Sequence, residues 1–180
     1  MLERVRRRDP AALTAFFEAY FDRVFGLVYR LLGDRAMTED VTQEVFYKAY
    51  RAADRLDPER DPMPWLVTIA HNACRDLWRS SAYRMGRRSA SIDGQPGIEL
   101  ALPARGNPEH DALAAERERL VQVAILELPE ALRTPLLLHD YQGMSHEEIA
   151  TALGIQHAAA RKRYSRALAA LGARLRETMI

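Results

Sequence analysis

The chain has 180 residues, a hydrophobic fraction of 48% and a formal net charge of +1. This length allows one domain or two small ones. A nearly neutral chain does not bind polyanions over its whole surface, so any DNA binding must depend on local basic faces. No apolar run is long enough to span a membrane, and MLERVRRRDP at the N-terminus lacks the apolar core of a signal peptide. The single cysteine excludes an internal disulfide and suits a reducing compartment. These features predict a cytoplasmic protein without membrane insertion.

The first part of the chain has the periodicity of three amphipathic helices. Asp9 followed by Pro10 predicts a helix start, and apolar residues then recur at helical spacing as far as Gly33. A second helical pattern follows over 34–56, and a third extends from Trp65 to about Arg79. No stretch alternates with the period of a strand. The fold class is therefore predicted to be all-α.

Gly and Pro are frequent between residues 80 and 110, and helical periodicity disappears there. Such a composition is typical of a linker. We therefore predict two small helical domains, over 1–83 and 108–180, joined by a flexible linker over 84–107. Pro135 lies inside a helical pattern of the second domain, where it is expected to kink or weaken the helix.

Residues 143–166 have the pattern of a helix-turn-helix. Ser145 with Glu148 three positions later predicts a capping box, and Gly154 stands where the first helix must end. A second helix is predicted to begin near Gln156 or His157. Its apolar stripe, which must face a core, consists of Ala160, Tyr164, Ala167, Leu168, Leu171 and Leu175.

The other face of this second helix is basic. A helix-turn-helix places such a face in the major groove of DNA. A helical hairpin with a solvated basic face is the alternative interpretation. The candidate duplex-binding residues are His157, Arg161, Lys162, Ser165 and Arg166.

A mixture of aromatic, amide and basic residues lies along the third helix and its entry loop. Single-stranded nucleic acid binds to such mixtures by base stacking and by Arg contacts to the backbone. Packing of both Trp residues in the core is the competing explanation. The residues concerned are Trp65, His71, Asn72, Arg75, Trp78, Arg79 and Tyr83.

Other chemistries have little support in the sequence. His71 and Cys74 share a helix face, but a structural zinc site needs four ligands and no second pair stands nearby. The carboxylates around Asp40 lack a paired base, and no phosphate-binding loop or hydrolase motif is present. The sequence predicts neither an enzyme nor a cofactor.

Three segments together resemble the extracytoplasmic-function (ECF) sigma factors of bacterial RNA polymerase. TEDVTQEVFYKAY (38–50) resembles the segment that binds the clamp helices of the polymerase β′ subunit. PWLVTIAHNACRDLWR (64–79) resembles the segment that melts the promoter and recognises the −10 element. LPEALRTPLLLHDYQGMSHEEIATALGI (128–155) resembles the domain that binds the −35 element. The resemblance implies sigma region 2 over 1–83 and sigma region 4 over 108–180. It implies core RNA polymerase, promoter DNA and an anti-sigma factor as partners.

The resemblance also implies roles for individual residues. Asn72 stands where the family has an Asn that receives a flipped −10 base, and the loop over 56–61 corresponds to the pocket for that base. Arg163 is expected to form an ion pair with Glu147 or Glu148. The implied polymerase-binding residues are Asp40, Gln43, Glu44 and Phe46. The implied −10 residues are Leu56, Trp65, Asn72, Arg75 and Arg79.

One departure from the family pattern concerns the −35 helix. The family usually has Gly-Thr-Val where this chain has Ala158, Ala159 and Ala160, and Gln156 replaces a usual Ser or Pro. The Thr commonly contacts the DNA backbone, so −35 preference or affinity is open to question. Two alternatives therefore stand beside a sigma factor: a helix-turn-helix regulator that binds duplex DNA only, and a sigma-like decoy that sequesters an anti-sigma factor.

Overall fold

The structure is a computed structural model that describes residues 1–80 and 108–178. Within these ranges the chain is helical and has no strand, which confirms the all-α prediction. Tyr83 and the predicted linker over 84–107 lie outside the described residues. The helices are α1 (Leu2–Arg6), α2 (Pro10–Leu32), α3 (Arg35–Arg51), α4 (Met63–Arg79), α5 (Pro108–Leu126), α6 (Glu130–Asp140), α7 (His146–Leu153) and α8 (His157–Thr178), with a short 3-10 helix at Ala53–Arg55.

Local signals set both ends of α2. The Asp9 side chain accepts a hydrogen bond from the Ala12 N–H at 2.9 Å, and Pro10 occupies the first helical position. Gly33 ends the helix with a φ of 70°, a left-handed conformation that suits glycine. Its lack of a side chain is required as well, because a Cβ there would lie 2.4 Å from Leu126 Cδ1. The predicted helix is confirmed at both ends.

Helices α2, α3 and α4 pack against one another and form the N-terminal half of the molecule. The apolar residues of each helix face inward because they recur at helical spacing. Each following helix is started by a carboxylate: Asp34 accepts from the Met37 N–H at 2.8 Å, and Asp61 from the Met63 N–H at 2.9 Å. The large side chains that are almost completely buried here are Val24, Leu27, Val28, Leu31, Val45 and Leu66.

Helices α5 to α8 form the C-terminal half, in which α6 and α7 both pack against α8. Pro135 lies inside α6, which is assigned as one continuous helix from Glu130 to Asp140. The expected apolar stripe of α8 is largely right, with Ala160 and Ala167 fully buried. Leu168 is an exception: it is 43% exposed, so its assignment to the buried stripe was wrong. It directly follows the buried Ala167, and a step of one residue turns a helix by more than a quarter of a revolution.

The two halves pack together through one continuous apolar core. Arg133 of α6, only 2% exposed, joins them by polar contacts. Its guanidinium donates to the carbonyls of Leu31 at 2.5 Å, Leu126 at 2.5 Å and Leu128 at 2.9 Å. These carbonyls lie at or just beyond the C-terminal ends of α2 and α5, where no helical N–H can reach them and a cation is favoured. One buried side chain therefore satisfies backbone groups of both halves.

Further polar contacts lie along the junction between α2 and the C-terminal half. Gln122, which is 3% exposed, donates to the Arg30 carbonyl at 3.1 Å. The Arg30 side chain forms an ion pair with Glu118 at 3.3 Å and lies 4.3 Å from the ring centre of Tyr141. We call this packed state of the two halves the closed arrangement.

Candidate nucleic-acid interface

Helices α7 and α8 form the predicted helix-turn-helix. Ser145 Oγ accepts from the Glu148 N–H at 3.2 Å, and the Glu148 carboxylate accepts from the Ser145 N–H at 2.8 Å. The backbone N–H of Ser145, followed by its side-chain hydroxyl, holds the pKa of the Glu148 carboxyl below its usual value. Gly154 ends α7 with a φ of 63°, and α8 begins at His157. The capping box and the left-handed turn are both confirmed.

The basic face of α8 is open to solvent. All five candidate residues are exposed, and none of them forms an ion pair with another residue in the described part of the chain. Three of them carry a full positive charge, which suits a surface that meets phosphates. An exposed, unpaired guanidinium can also donate two hydrogen bonds to a guanine edge. These residues are His157, Arg161, Lys162, Ser165 and Arg166.

Aromatic contacts attach α8 to the rest of the C-terminal half. The rings of His139 and His146 are stacked with their centres 4.9 Å apart, and Tyr164 lies 4.3 Å from His139. The Tyr164 hydroxyl donates to the Asp140 carboxylate at 2.9 Å. This cluster fixes α8 against the end of α6 and the start of α7. Helical periodicity does not reveal this cluster in advance, because its members come from three different helices.

The expected ion pair of Arg163 is not formed. Among the described residues Arg163 contacts neither Glu147 nor Glu148 as an ion pair, so this prediction was wrong. The Glu148 carboxylate is instead engaged by the Ser145 backbone. Arg163 lies beside His71 and Arg75 of α4, on the side of α8 that faces the N-terminal half.

Four of the five candidate −10 residues line two grooves, and Asn72 is not among them. Leu56, buried in the loop after the 3-10 helix, and Trp65, half-buried at the start of α4, line a groove of about 620 Å³. Arg75 and Arg79 line a second cleft of about 420 Å³ farther along α4. Asn72 lies on α4 between these positions and is half-buried. The structure therefore places all five along one helix and its entry loop.

Helix α7 covers part of this surface. Glu147, Glu148 and Thr151 line the same groove as Leu56 and Trp65, because α7 packs against α4 in the closed arrangement. The carboxylates of Glu147 and Glu148 lie on one wall of that groove, and a negatively charged DNA strand would have to approach them. The arrangement of this groove could not be foreseen from either half of the sequence alone.

The two Trp residues of α4 have different environments. Trp78 is 7% exposed and belongs to the core. Trp65 is half-buried and lines both the groove over Leu56 and an apolar pocket of about 320 Å³ between α1, α2, α3 and α4. Trp65 is therefore the more accessible of the pair, whereas Trp78 reaches only the cleft that Arg75 and Arg79 also line.

The candidate polymerase-binding residues occupy two faces of α3. Asp40, Gln43 and Glu44 are exposed on the outer face, where Glu44 pairs with Lys48 at 2.6 Å. Phe46 is directed elsewhere: its ring lies 4.8 Å from that of Phe17 in the apolar pocket. The outer face of α3 also carries a residue that the sequence-based assignment omitted, Tyr47, which is 60% exposed.

His71 is half-buried and Cys74 is fully buried in α4, and no further metal-ligating side chains join them in the part of the chain that the structure describes. Burial, followed by the charges of Arg75 and Arg163, lowers the pKa of His71 to about 4. Burial raises the pKa of the Cys74 thiol to about 12, and its side chain is fully buried. Within residues 1–80 and 108–178 no group of three or more His, Cys, Asp or Glu side chains is arranged to hold a metal ion. The same residues contain no helix long and apolar enough to cross a membrane.

Two helical halves, one ending in an exposed basic recognition helix and the other presenting a helix of aromatic, amide and basic residues, define a sigma-type transcription initiation factor. Two family models match the chain: Sigma-70 region 2 over residues 16–85 and Sigma-70, region 4 over residues 118–171. Together they cover more than half of its length. The chain belongs to the ECF sigma factors, as its curated relatives make plain.

Those relatives match nearly the whole chain. The ECF RNA polymerase sigma-E factor of Escherichia coli is 34% identical over 180 residues, which span 95% of this chain and 90% of that protein. The RNA polymerase sigma-H factor of Pseudomonas aeruginosa is 32% identical over 173 residues, which span 95% and 90% of the two chains. Among solved structures, CnrH in complex with the cytosolic domain of CnrY is 25% identical, with a TM-score of 0.68 over 98% of this chain and 95% of CnrH.

The protein is accordingly a promoter-specific sigma factor and not an enzyme. As a sigma factor it acts with core RNA polymerase and promoter DNA. A regulator that binds duplex DNA only is not favoured, because the match includes region 2 as well as region 4.

Proposed function

We propose that the chain divides promoter recognition between its two halves, with α8 binding the −35 duplex, α4 binding the unpaired −10 strand and α3 binding core polymerase. The proposed domains are 1–83 and 108–180, with a linker over 84–107. The observation that carries this proposal is the separation of surfaces: the exposed basic face of α8 and the exposed acidic face of α3 belong to different helices and different halves.

In the −35 duplex, Arg161, Lys162, Ser165 and Arg166 are proposed to enter the major groove, with His157 at the start of the helix. All are exposed, and the helix is held in place by the Tyr164 hydroxyl on Asp140. A guanidinium that bonds both acceptors of a guanine discriminates against other bases by about 1–3 kcal/mol. Sequence preference should therefore depend most on Arg161 and Arg166.

In the −10 region, Asn72 is proposed to bond the edge of a flipped base, and Leu56 and Trp65 to enclose it. Stacking of a base on an aromatic ring contributes about 1–3 kcal/mol, which offsets the few kcal/mol required to unstack it from duplex DNA. Arg75 and Arg79 are proposed to contact the strand backbone. In the closed arrangement α7 shares the groove of Leu56 and Trp65, so strand binding is expected to need the two halves to separate.

On core polymerase, the proposed contact is made by Asp40, Gln43 and Glu44 to the β′ clamp helices. These three residues share the exposed face of α3. Phe46 is proposed to support this surface from the apolar pocket, where it packs on Phe17. The acidic side chains suit a basic partner, and such charge pairs chiefly set association rate and specificity.

An anti-sigma factor is the proposed regulatory partner, and the cytoplasm is the proposed location. The structurally similar CnrH was solved in complex with the cytosolic domain of CnrY. The proposed cytoplasmic location follows from joint action with RNA polymerase.

A decoy that only sequesters an anti-sigma factor is the other candidate; the comparisons do not favour it, and one departure of α8 from the family pattern is what it depends on. Ala158 is exposed and Ala159 is half-exposed on α8, where the family usually has Gly and Thr. They leave no hydroxyl for a DNA-backbone contact. Ala160 is fully buried, so its replacement of the usual Val concerns the core and not DNA.

Reconstituted transcription distinguishes the two candidates. The purified chain is combined with core polymerase on a double-stranded promoter, and the start sites of the transcripts are mapped. A sigma factor produces transcripts with defined starts, and Arg161→Ala weakens their dependence on the −35 element more than it weakens core binding. Arg176→Ala is the matched control, because it removes one exposed cation from the last turn of the same helix. Core binding without any change in start sites would establish the decoy instead.

A further inference from the structure

The cleft between α4 and the C-terminal half combines concentrated positive charge with unsatisfied polar atoms. Its volume is about 420 Å³. Arg75 and Arg79 enter it from α4 and Arg163 enters it from α8, whereas Glu130 is the one carboxylate among the lining residues that the structure describes. Like charges gathered in this way repel one another unless an anion lies between them.

Several polar atoms at this cleft lack a hydrogen-bond partner among the described residues. Thr134 Oγ1 and Trp78 Nε1 are the most buried, in side chains that are 2% and 7% exposed. His71 Nδ1 and Arg75 Nε are also without a partner. A buried polar group left in this state costs free energy, and native proteins nearly always satisfy such groups. Donors on Trp78, Arg75 and Thr134 all suit an acceptor-rich ligand.

We propose that this cleft binds a small phosphate-bearing anion, which bridges α4 to α6 and α8 and thereby stabilises the closed arrangement. Arginine favours phosphate because its planar guanidinium donates two hydrogen bonds in parallel. The hydroxyl of Thr134 and the indole N–H of Trp78 supply neutral donors, which bind phosphate oxygens without adding further charge.

The geometry favours a small anion over a DNA strand. One wall of the cleft comes from α4 and the others from α6, α7 and α8, so it exists only while the two halves are packed together, as α7 is against α4. A strand bound along α4 would instead have to displace α6 and α8. Arg75 and Arg79 are shared by the two modes, and the anion is therefore expected to compete with the −10 strand. This inference goes beyond promoter recognition, because Thr134, Trp78 and Arg163 have no role in it.

The test uses the full chain without polymerase, with inorganic pyrophosphate and inorganic phosphate as separate probes at constant ionic strength. Pyrophosphate is expected to raise the thermal unfolding temperature in a saturable manner. It should also move the imidazole resonances of His71 and raise the pKa of this residue from about 4, because a nearby anion favours the charged ring. A response to pyrophosphate alone indicates a nucleotide-type source, and equal responses to both probes indicate free phosphate.

Two variants in the cleft and one outside it make the test specific. Thr134→Val keeps the side-chain shape and Arg163→Gln keeps a polar chain, so both should fold, and each is expected to weaken pyrophosphate binding about tenfold or more. Arg176→Gln removes an equal charge at the exposed end of α8 and should bind as the natural chain does. If Thr134→Val merely raises the unfolding temperature and leaves binding unchanged, the hydroxyl is no ligand and the proposal fails.

A parallel measurement tests whether the cleft binds single-stranded DNA instead of a small anion. A single-stranded −10 oligonucleotide is added in place of pyrophosphate, and its binding is followed by fluorescence anisotropy. Pyrophosphate should weaken this binding in the natural chain and have less effect in Arg163→Gln. If Thr134→Val and Arg163→Gln weaken the binding of the oligonucleotide but not that of pyrophosphate, the cleft binds DNA and the proposal is overturned. Neither result bears on the sigma-factor function, because these experiments measure binding and not transcription.

Discussion

The two proposed DNA-binding surfaces differ in their accessibility. The five −35 residues on α8 are all exposed, whereas of the five −10 residues only Arg79 is exposed and Leu56 is fully buried. The −10 surface is partly covered because α7 packs against α4 and places Glu147 and Glu148 in its groove. In the closed arrangement the chain is therefore ready for duplex DNA but not for an unpaired strand.

Polar contacts at the junction explain why the closed arrangement holds. An apolar interface alone permits sliding, but Arg133 must meet the three carbonyls in one geometry. Directional hydrogen bonds to a buried charge therefore fix the position of one half on the other.

Arg133→Leu should weaken the packing of the two halves against each other and so expose α4. The substitution leaves three carbonyls at the junction without a donor, so the free energy of unfolding should fall by about 3 kcal/mol or more. Urea unfolding measures the stability, and hydrogen exchange of the α4 amides measures the opening. Arg176→Leu, at an exposed site of α8, should change stability by only about 0.5 kcal/mol or less. Unchanged exchange in α4 of Arg133→Leu would show that this contact does not hold the halves together.

The stability of the closed arrangement should decrease in mild acid because of His71. Its folded pKa of about 4 lies below the unfolded value near 6.5, so the unfolded chain binds the proton first as the pH falls. The free energy of unfolding should therefore fall between about pH 6.5 and 4, by about 3 kcal/mol in total. Urea titrations across this range, compared with His71→Gln, isolate the contribution of the imidazole. Identical pH profiles for the two proteins would contradict the assignment.

Asn72→Ala should impair promoter opening and leave core binding intact. The lost amide hydrogen bonds should reduce open-complex formation by about 1–3 kcal/mol, or up to about a hundredfold. Reactivity of unpaired thymines measures opening, and co-migration with core enzyme measures binding. A promoter that is already unpaired at −10 should lessen the defect. Full activity of this variant on a double-stranded promoter would remove Asn72 from the proposed role.

Arg161→Ala should weaken duplex recognition by about 1–3 kcal/mol at one base pair of the −35 element. Because α8 is exposed in the closed arrangement, this loss should appear equally in the natural chain and in an Arg133→Leu background. Competition between −35 duplexes of different sequence measures it. A loss of affinity that is uniform over all sequences would indicate that Arg161 contacts phosphate and not a base.

The sequence was sufficient wherever a structural feature depends on neighbours in the chain. Asp9 and Gly33 delimit α2, and Ser145 with Glu148 starts α7, because caps act within one turn of a helix. Helical spacing alone was sufficient to predict which residues lie on the basic face of α8. These signals are local, and they predicted the helix-turn-helix and the all-α fold.

The features that the sequence did not predict depend on contacts between distant residues. Arg133 meets a carbonyl 102 positions earlier in the chain, and nothing in its surroundings marks it as buried. The expected partner of Arg163 was wrong because a nearer group, the Ser145 backbone, already binds Glu148. Leu168 was assigned to the core from its hydrophobicity, although its position on α8 leaves it at the surface. The roles of individual residues at the DNA and polymerase surfaces stay predictions.

The environment of Cys74 determines how the protein can respond to oxidants. It is the only thiol in the chain, it is fully buried, and its high pKa keeps it protonated. Peroxides and alkylating reagents attack the thiolate, so Cys74 of the folded protein should be inert to both. The folded chain then offers no thiol that could sense a redox signal directly. Alkylation of this single thiol will report only the fraction of molecules in which α4 has lost its packing.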